Sequence, residues 1–232
     1  MDEMRRQATS LPLVTLGILG VLGCGTTVQT AGGPVLRGMP PPLQEVRAEA
    51  AAVYEQVVMG NDEVAFAGPG RVEQAWREAR RRVESDGAPA EAVGAVGAAV
   101  TALRWSVTRR DDDPLAMARA ANGVIGATAA LVSFYRPGLP PDTLHLDYLQ
   151  RELALDGLAG DLASAAAHAR ELERAWLAVR AQVLAAGGRQ QVAAFDASVG
   201  AVREAVAGRD LERLVRIANR GAALAADIHG VL

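Results

Sequence analysis

Lysine is absent from the 232 residues, cysteine occurs once, and aromatic residues make up only 4%. The lone Cys24 excludes an intrachain disulfide and any zinc site built on several thiolates. All 24 basic residues are therefore arginine, a pattern of coding bias rather than of chemistry. Neither sign of charge dominates, with 27 acids against those 24 bases and a formal charge of −3. No basic stripe runs along the chain. Phosphate backbones need clustered positive charge, so nucleic acid is excluded as an expected partner.

Catalytic constellations are lacking too. There is no Gly-rich loop between strand and helix, no nucleophile elbow and no His-Glu-x-x-His. Ser133 and Ser198 have no evident base beside them in sequence. The expectation is a protein that is not an enzyme and carries no cofactor beyond a covalent lipid. Long apolar runs are scarce as well. The run from Leu11 to Leu22 falls short of the roughly 20 residues that span a bilayer.

That run follows Arg5 and Arg6 and ends in Val21-Leu22-Gly23-Cys24. Charge, apolar run and small residue before the cut form a signal peptide. The last four residues resemble a lipobox, after which a lipoprotein signal peptidase cleaves. The resemblance implies residues 1–23 as a lipoprotein signal peptide and Cys24 as the lipidation site. Its thiol would take a diacylglycerol, and its new amino terminus a further acyl chain such as palmitate. Each buried methylene contributes about 0.8 kcal/mol, so several chains give a lasting membrane anchor. The implied location is the cell envelope. Gly25, rather than Asp, directs the protein to the outer membrane facing the periplasm in a cell that has one. Residues 24–42 are rich in Gly, Pro and Thr and form a flexible tether.

Half of all residues are apolar, alanine prominent among them. Alanine is the best helix former because it loses no side-chain entropy. The chain also repeats itself. Glu73, Trp76 and Arg80 recur as Glu173, Trp176 and Arg180, an offset of 100. Val93, Val96, Val100, Leu103 and Val107 recur as Val192, Phe195, Val199, Val202 and Val206. Both sets are spaced 3-4-3-4, which is one apolar helix face. Arg119 and Asn122 recur as Arg216 and Asn219. The pattern predicts an all-α fold of two tandem, duplicated up-down four-helix units, 43–136 and 137–232, packed together. Helices are expected near 43–59, 70–86, 90–109 and 114–134. Their counterparts are expected near 143–157, 161–186, 190–207 and 210–230. Asp113 followed by Pro114 is a helix start, with a capping carboxylate and proline at the first helical position.

Asn122, Pro140-Pro141 and Leu146-Asp147-Tyr148-Leu149-Gln150-Arg151-Glu152 resemble a pattern in an uncharacterised group of all-helical bacterial envelope lipoproteins. The resemblance runs loosely over 43–232 and implies an exported helical domain without an assigned activity. Gln150 stands where that pattern has a small residue.

Helix 143–157 is apolar on two faces, so it should be packed on both. Between them runs a polar stripe of His145, Glu152 and Asp156. The plainest reading is a solvated stripe of salt bridges. The functional reading is a ligand site of His145, Glu152, Asp156, Asn122 and Asn219, or a metal site. His145 and His229, which fall at one end of the second unit, are the candidate metal ligands. His168 reads as a boundary residue at the opposite end. The expected partners are membrane lipid through Cys24 and either an envelope protein or a small ligand.

Overall fold

The structure is a computed structural model describing residues 38–108 and 113–232. The expected signal peptide, Cys24 and the expected tether up to residue 37 lie outside the described residues, as do residues 109–112, where the expected helix 90–109 ends. Every regular element among the described residues is helical. The first group is α1 (Pro41–Val58), α2 (Asp62–Phe66), α3 (Gly68–Ser85), α4 (Ala90–Thr108), α5 (Pro114–Ala127) and α6 (Ala129–Tyr135). The second is α7 (Pro141–Ala159), α8 (Leu162–Ala185), α9 (Arg189–Ala207) and α10 (Leu211–Val231).

The helix limits follow from local chemistry. α1 and α7 each start on a proline, which needs no N–H partner in the first turn. This carries α1 to Pro41, inside the stretch expected to be tether. Asp113 Oδ1 accepts from the Leu115 and Ala116 amides at 3.0 and 3.2 Å and opens α5. Asp161 and Asp210 cap α8 and α10 in the same way. Gly87 and Gly187 follow α3 and α8 with φ of 81° and 91°, where a side chain would be strained.

The expected helix 114–134 is broken at Thr128 into α5 and α6. The break is held by a distant side chain. Arg47 of α1 donates from Nη1 to the Ile125 carbonyl at 3.1 Å and to Thr128 Oγ1 at 2.6 Å. The Thr128 hydroxyl in turn donates to the Ile125 carbonyl. The short α2 has no counterpart among the expected helices. Together α5 and α6 span Pro114–Tyr135, the stretch long and apolar enough to cross a membrane by composition alone, with half of that window buried within the fold.

Helices α1, α3, α4 and α5 form a closed ring of neighbours, α1 touching α3 and α5, and α4 touching the same two. Helices α7, α8, α9 and α10 form a second ring in the same cyclic order. Short connections make consecutive helices antiparallel in each ring. The first ring closes over Leu43, Val46, Val72, Trp76, Val96, Leu103 and Met117. The second closes over Leu146, Leu149, Leu153, Leu172, Trp176, Phe195 and Leu214. Helix α7 joins them: it packs on α8 and α10 of its own ring and on α5 and α6 of the other. Its two apolar faces are thus both covered, and Leu144, Leu146, Leu149, Leu153 and Leu155 are buried.

At one end of the domain Met39 and Leu232 pack against the same small cluster of Val132, Leu139 and Leu144. The chain therefore enters and leaves the domain side by side.

Candidate functional site: the two polar faces of helix α7

Asp147 and Arg151 lie one turn apart on α7, and Glu152 and Asp156 lie one turn apart about 140° further round at 100° per residue. The helix therefore presents two separate polar faces, and they differ in chemistry.

The first face is a closed ionic network. Glu152 is 5% exposed and Asp156 is fully buried, so the expected solvated stripe is a correction. Burial follows from packing, because α5 and α8 close over this side of α7. Arg119 of α5 bridges both acids, with Nη1 to Glu152 Oε2 at 2.7 Å and Nη2 to Asp156 Oδ1 at 2.8 Å. Asn122 Nδ2 donates to Glu152 Oε1 at 2.7 Å and to the Tyr148 carbonyl at 3.1 Å. His168 of α8 contributes Nδ1 at 2.7 Å from Asp156 Oδ2. All four carboxylate oxygens thus meet a partner, as buried acids require.

His168 is the member that sequence reasoning missed. It was expected as a boundary residue in the second turn of its helix, and it stands there, half-buried on α8, which follows α7 through the tight turn at Gly160 and Asp161; its contact with Asp156 is what was not foreseen. That turn folds the start of α8 back along the end of α7. The spacing Asp156 to His168 carries the signal, since a helix end followed by a short turn juxtaposes such positions.

The hydrogen bond to Asp156 raises the His168 pKa above its usual 6.5, against the opposing cost of burial; the charges of Asp156, Glu152 and Glu171 add to the rise. A raised folded pKa stabilises the fold fully below the unfolded value. That contribution is lost as pH climbs from about 6.5 through the folded pKa. The thermal midpoint of the chain should therefore decline over this window. His168→Gln should remove that part of the slope while leaving the remaining pH profile in place. A wild-type profile identical to that of the variant would refute the assignment.

Glu152, Asp156 and His168 also bring one donor atom each to within 4.8 Å of one another, close enough to share a metal ion. The expected histidine pair does not form this group. His145 Nε2 lies 2.9 Å from Glu171 Oε1, and its ring stacks on Tyr148 with centroids 5.4 Å apart. His229 Nε2 lies 2.9 Å from the Thr143 carbonyl. Each histidine is committed to a different protein partner, so the two are not drawn onto a common ion. Asn219 is exposed on α10, away from its counterpart Asn122 in the network. Arg216, the counterpart of Arg119, pairs with Glu212 on its own helix. The repeated residues have diverged in role because α5 lays its Arg119 and Asn122 over the acids of α7.

The second face of α7 lies open. Asp147 and Arg151 line a cleft of about 580 Å³ between α1 and α10. Helix α1 contributes Arg47, Tyr54, Glu55 and Val58, and Met59 follows directly after it. Helix α10 contributes Asn219, Ala222, Ala223, Ala226 and His229. Arg151 donates from Nε to Asp147 Oδ1 at 3.1 Å and lies over the Tyr54 ring, 5.0 Å from its centroid. The Tyr54 hydroxyl donates to the Arg151 carbonyl at 3.4 Å. Burial pushes the Tyr54 hydroxyl pKa up, so it stays a neutral donor at physiological pH. The cleft volume falls within the usual range for small-ligand pockets, roughly 300–1,000 Å³. Two of the expected residues, Asn219 and His229, therefore reach a shared site, one without Glu152 or Asp156.

No family model, curated protein or solved structure matches the chain.

Proposed function

We propose that this chain is an exported lipoprotein, held to the cell envelope by lipid on Cys24, whose helical domain is a non-enzymatic binding module. The observation that carries the reading is Val21-Leu22-Gly23-Cys24 at the end of an apolar run too short to span a bilayer. The lack of catalytic motifs and the single cysteine agree with it. We also read the two rings of helices as copies of one duplicated unit, on the strength of the residue matches at offsets near 100. In a cell with an outer membrane, Gly25 favours attachment there, facing the periplasm.

The test is metabolic labelling with a palmitate analogue in a bacterial host. The full chain should take up label and sediment with membranes. Cys24→Ala should lose both label and membrane attachment, and an inhibitor of the lipoprotein signal peptidase should cause an uncleaved form to accumulate. Label or membrane attachment that persists in Cys24→Ala would sink the reading.

A second reading makes the domain a metal-binding module at Glu152, Asp156 and His168, favoured by the convergence of their donor atoms. An ion there would have to displace Arg119 from both carboxylates and a proton from His168. That competition makes a binding module of the open cleft the better supported of the two.

A further inference from the structure

Arg47 differs from the other arginine on this cleft. Its Nη1 is spent on two neutral oxygens at the α5–α6 break, the Ile125 carbonyl and Thr128 Oγ1. Among the described residues no carboxylate lies within ion-pair range of it. A guanidinium has five N–H donors, and Arg47 is among the residues that line the cleft. Burial lowers its pKa, offset in part by the charge of Asp147 and deepened by Arg151, which is what an undercompensated buried cation produces.

The residues that line the cleft therefore include two arginines, Arg47 and Arg151, against one buried carboxylate, Asp147. Glu55 lies exposed at the rim, where water screens it. His229 faces the Thr143 carbonyl. One wall is apolar: Ala222, Ala223 and Ala226 of α10 stand opposite Val58 of α1 and the adjoining Met59. Met59 is 67% exposed, an apolar side chain left uncovered at the mouth. A charged floor with an apolar wall is the layout of a site for a small amphipathic ion.

We propose that the cleft between α1, α7 and α10 binds a small organic anion, its carboxylate or phosphate on Arg47 and Arg151 and its apolar body along Ala222, Ala223 and Ala226. Arginine suits this role because its planar fork matches the oxygens of both head groups. The proposal names a ligand for the binding-module reading and rests on that reading, but not on the anchor. Failure at Cys24 is seen in membrane attachment, whereas failure here is seen in ligand binding.

The test uses the full chain in nanodiscs of zwitterionic lipid, with empty nanodiscs as the blank. Calorimetric titrations compare hexanoate and hexyl phosphate with hexanol, hexylammonium and inorganic phosphate. Either organic anion should bind at least tenfold more tightly than hexanol or hexylammonium. It should also outcompete inorganic phosphate, which lacks the apolar body. Ala226→Glu places a carboxylate on the exposed wall without touching the core and should weaken anion binding at least tenfold. Asn219→Glu should act in the same direction, and Arg151→Gln should remove the preference for anions. Binding that ignores charge, or that survives both glutamate substitutions unchanged, would overturn the proposal. So would inorganic phosphate binding as tightly as hexyl phosphate.

Discussion

Asp156→Ala should destabilise the domain by about 3–5 kcal/mol, the range for removing one partner from a buried charge network. Asp156 is fully buried and accepts from Arg119 Nη2 at 2.8 Å on one oxygen, with His168 Nδ1 at 2.7 Å on the other. Alanine would leave a guanidinium and an imidazole facing each other across the vacated space, with Glu152 as the acid that remains in the hydrogen-bonded network. Three elements meet at this carboxylate: α5 through Arg119, α7 through Asp156 itself and α8 through His168. Its loss should loosen the contact between the two rings as well as the second ring. For a chain of this size the cost corresponds to a fall of roughly 10 °C in the melting midpoint.

A double-mutant cycle makes the assignment specific. Arg119→Ala alone strands two buried acids, and Asp156→Ala alone strands the cations. The pair removes both halves of one bridge, so the double variant should cost at least about 1 kcal/mol less than the sum of the singles. Urea midpoints of the four proteins give the number. Additive costs would mean that the bridge contributes nothing beyond local packing. A single-variant cost below about 1 kcal/mol would place the network among weak surface pairs.

The network also shows where sequence reading stops. The all-helical class and the main helix limits were legible because apolar spacing of 3-4-3-4 and punctuation by Gly and Pro are local signals. Two-sided burial of α7 was legible for the same reason, since Leu146, Leu149 and Leu153 oppose Leu144, Tyr148, Leu155 and Leu158 around one helix, although Leu158, near its end, is exposed. The environment of Glu152 and Asp156 was not. A carboxylate on a helix has one spacing whether it faces water or a guanidinium from a distant helix. Only the packing of α5 on α7 brings Arg119 within 2.8 Å of both acids. The short α2 and the break at Thr128 were hidden likewise. The broken helix is completed by Arg47, some eighty residues earlier in the chain. The pairing of His168 with Asp156 was not foreseen, because which residues of α7 a residue of α8 meets depends on how tightly the chain turns at Gly160, with φ of 73°.

The cleft was legible only in part. Asn219 and His229 were candidates, but for a site centred on the acids of the other face. Asp147 and Arg151 are an ordinary i,i+4 pair in sequence and carry no visible sign of a cleft above them. Their setting depends on α1 and α10 standing apart over α7. The arrangement in two rings accounts for such a gap. Each ring satisfies its own four helices, and the seam between rings is under no demand to close completely.

Gly221 on α10 should tolerate no side chain while Gln150 is present. A Cβ built on Gly221 would meet Gln150 Cδ at 2.3 Å, well inside contact distance. Gln150 is itself fully buried, and neither its Oε1 nor its Nε2 has a hydrogen-bond partner. The missing Cβ at Gly221 makes the room for the glutamine. Gly221→Ala should therefore cost about 1–3 kcal/mol, the usual penalty for overpacking a core. Gln150→Ala should reverse the sign. With the glutamine gone, Gly221→Ala gains helix propensity of about 1 kcal/mol and refills part of the void. Gln150→Leu in the native background removes two unpartnered polar atoms at similar volume, and it should leave stability unchanged or raise it. Melting midpoints of these variants decide the matter. If Gly221→Ala is harmless with Gln150 in place, the two helices are not in the close contact that orders α10 against α7, and the open cleft beside them would lose its fixed wall.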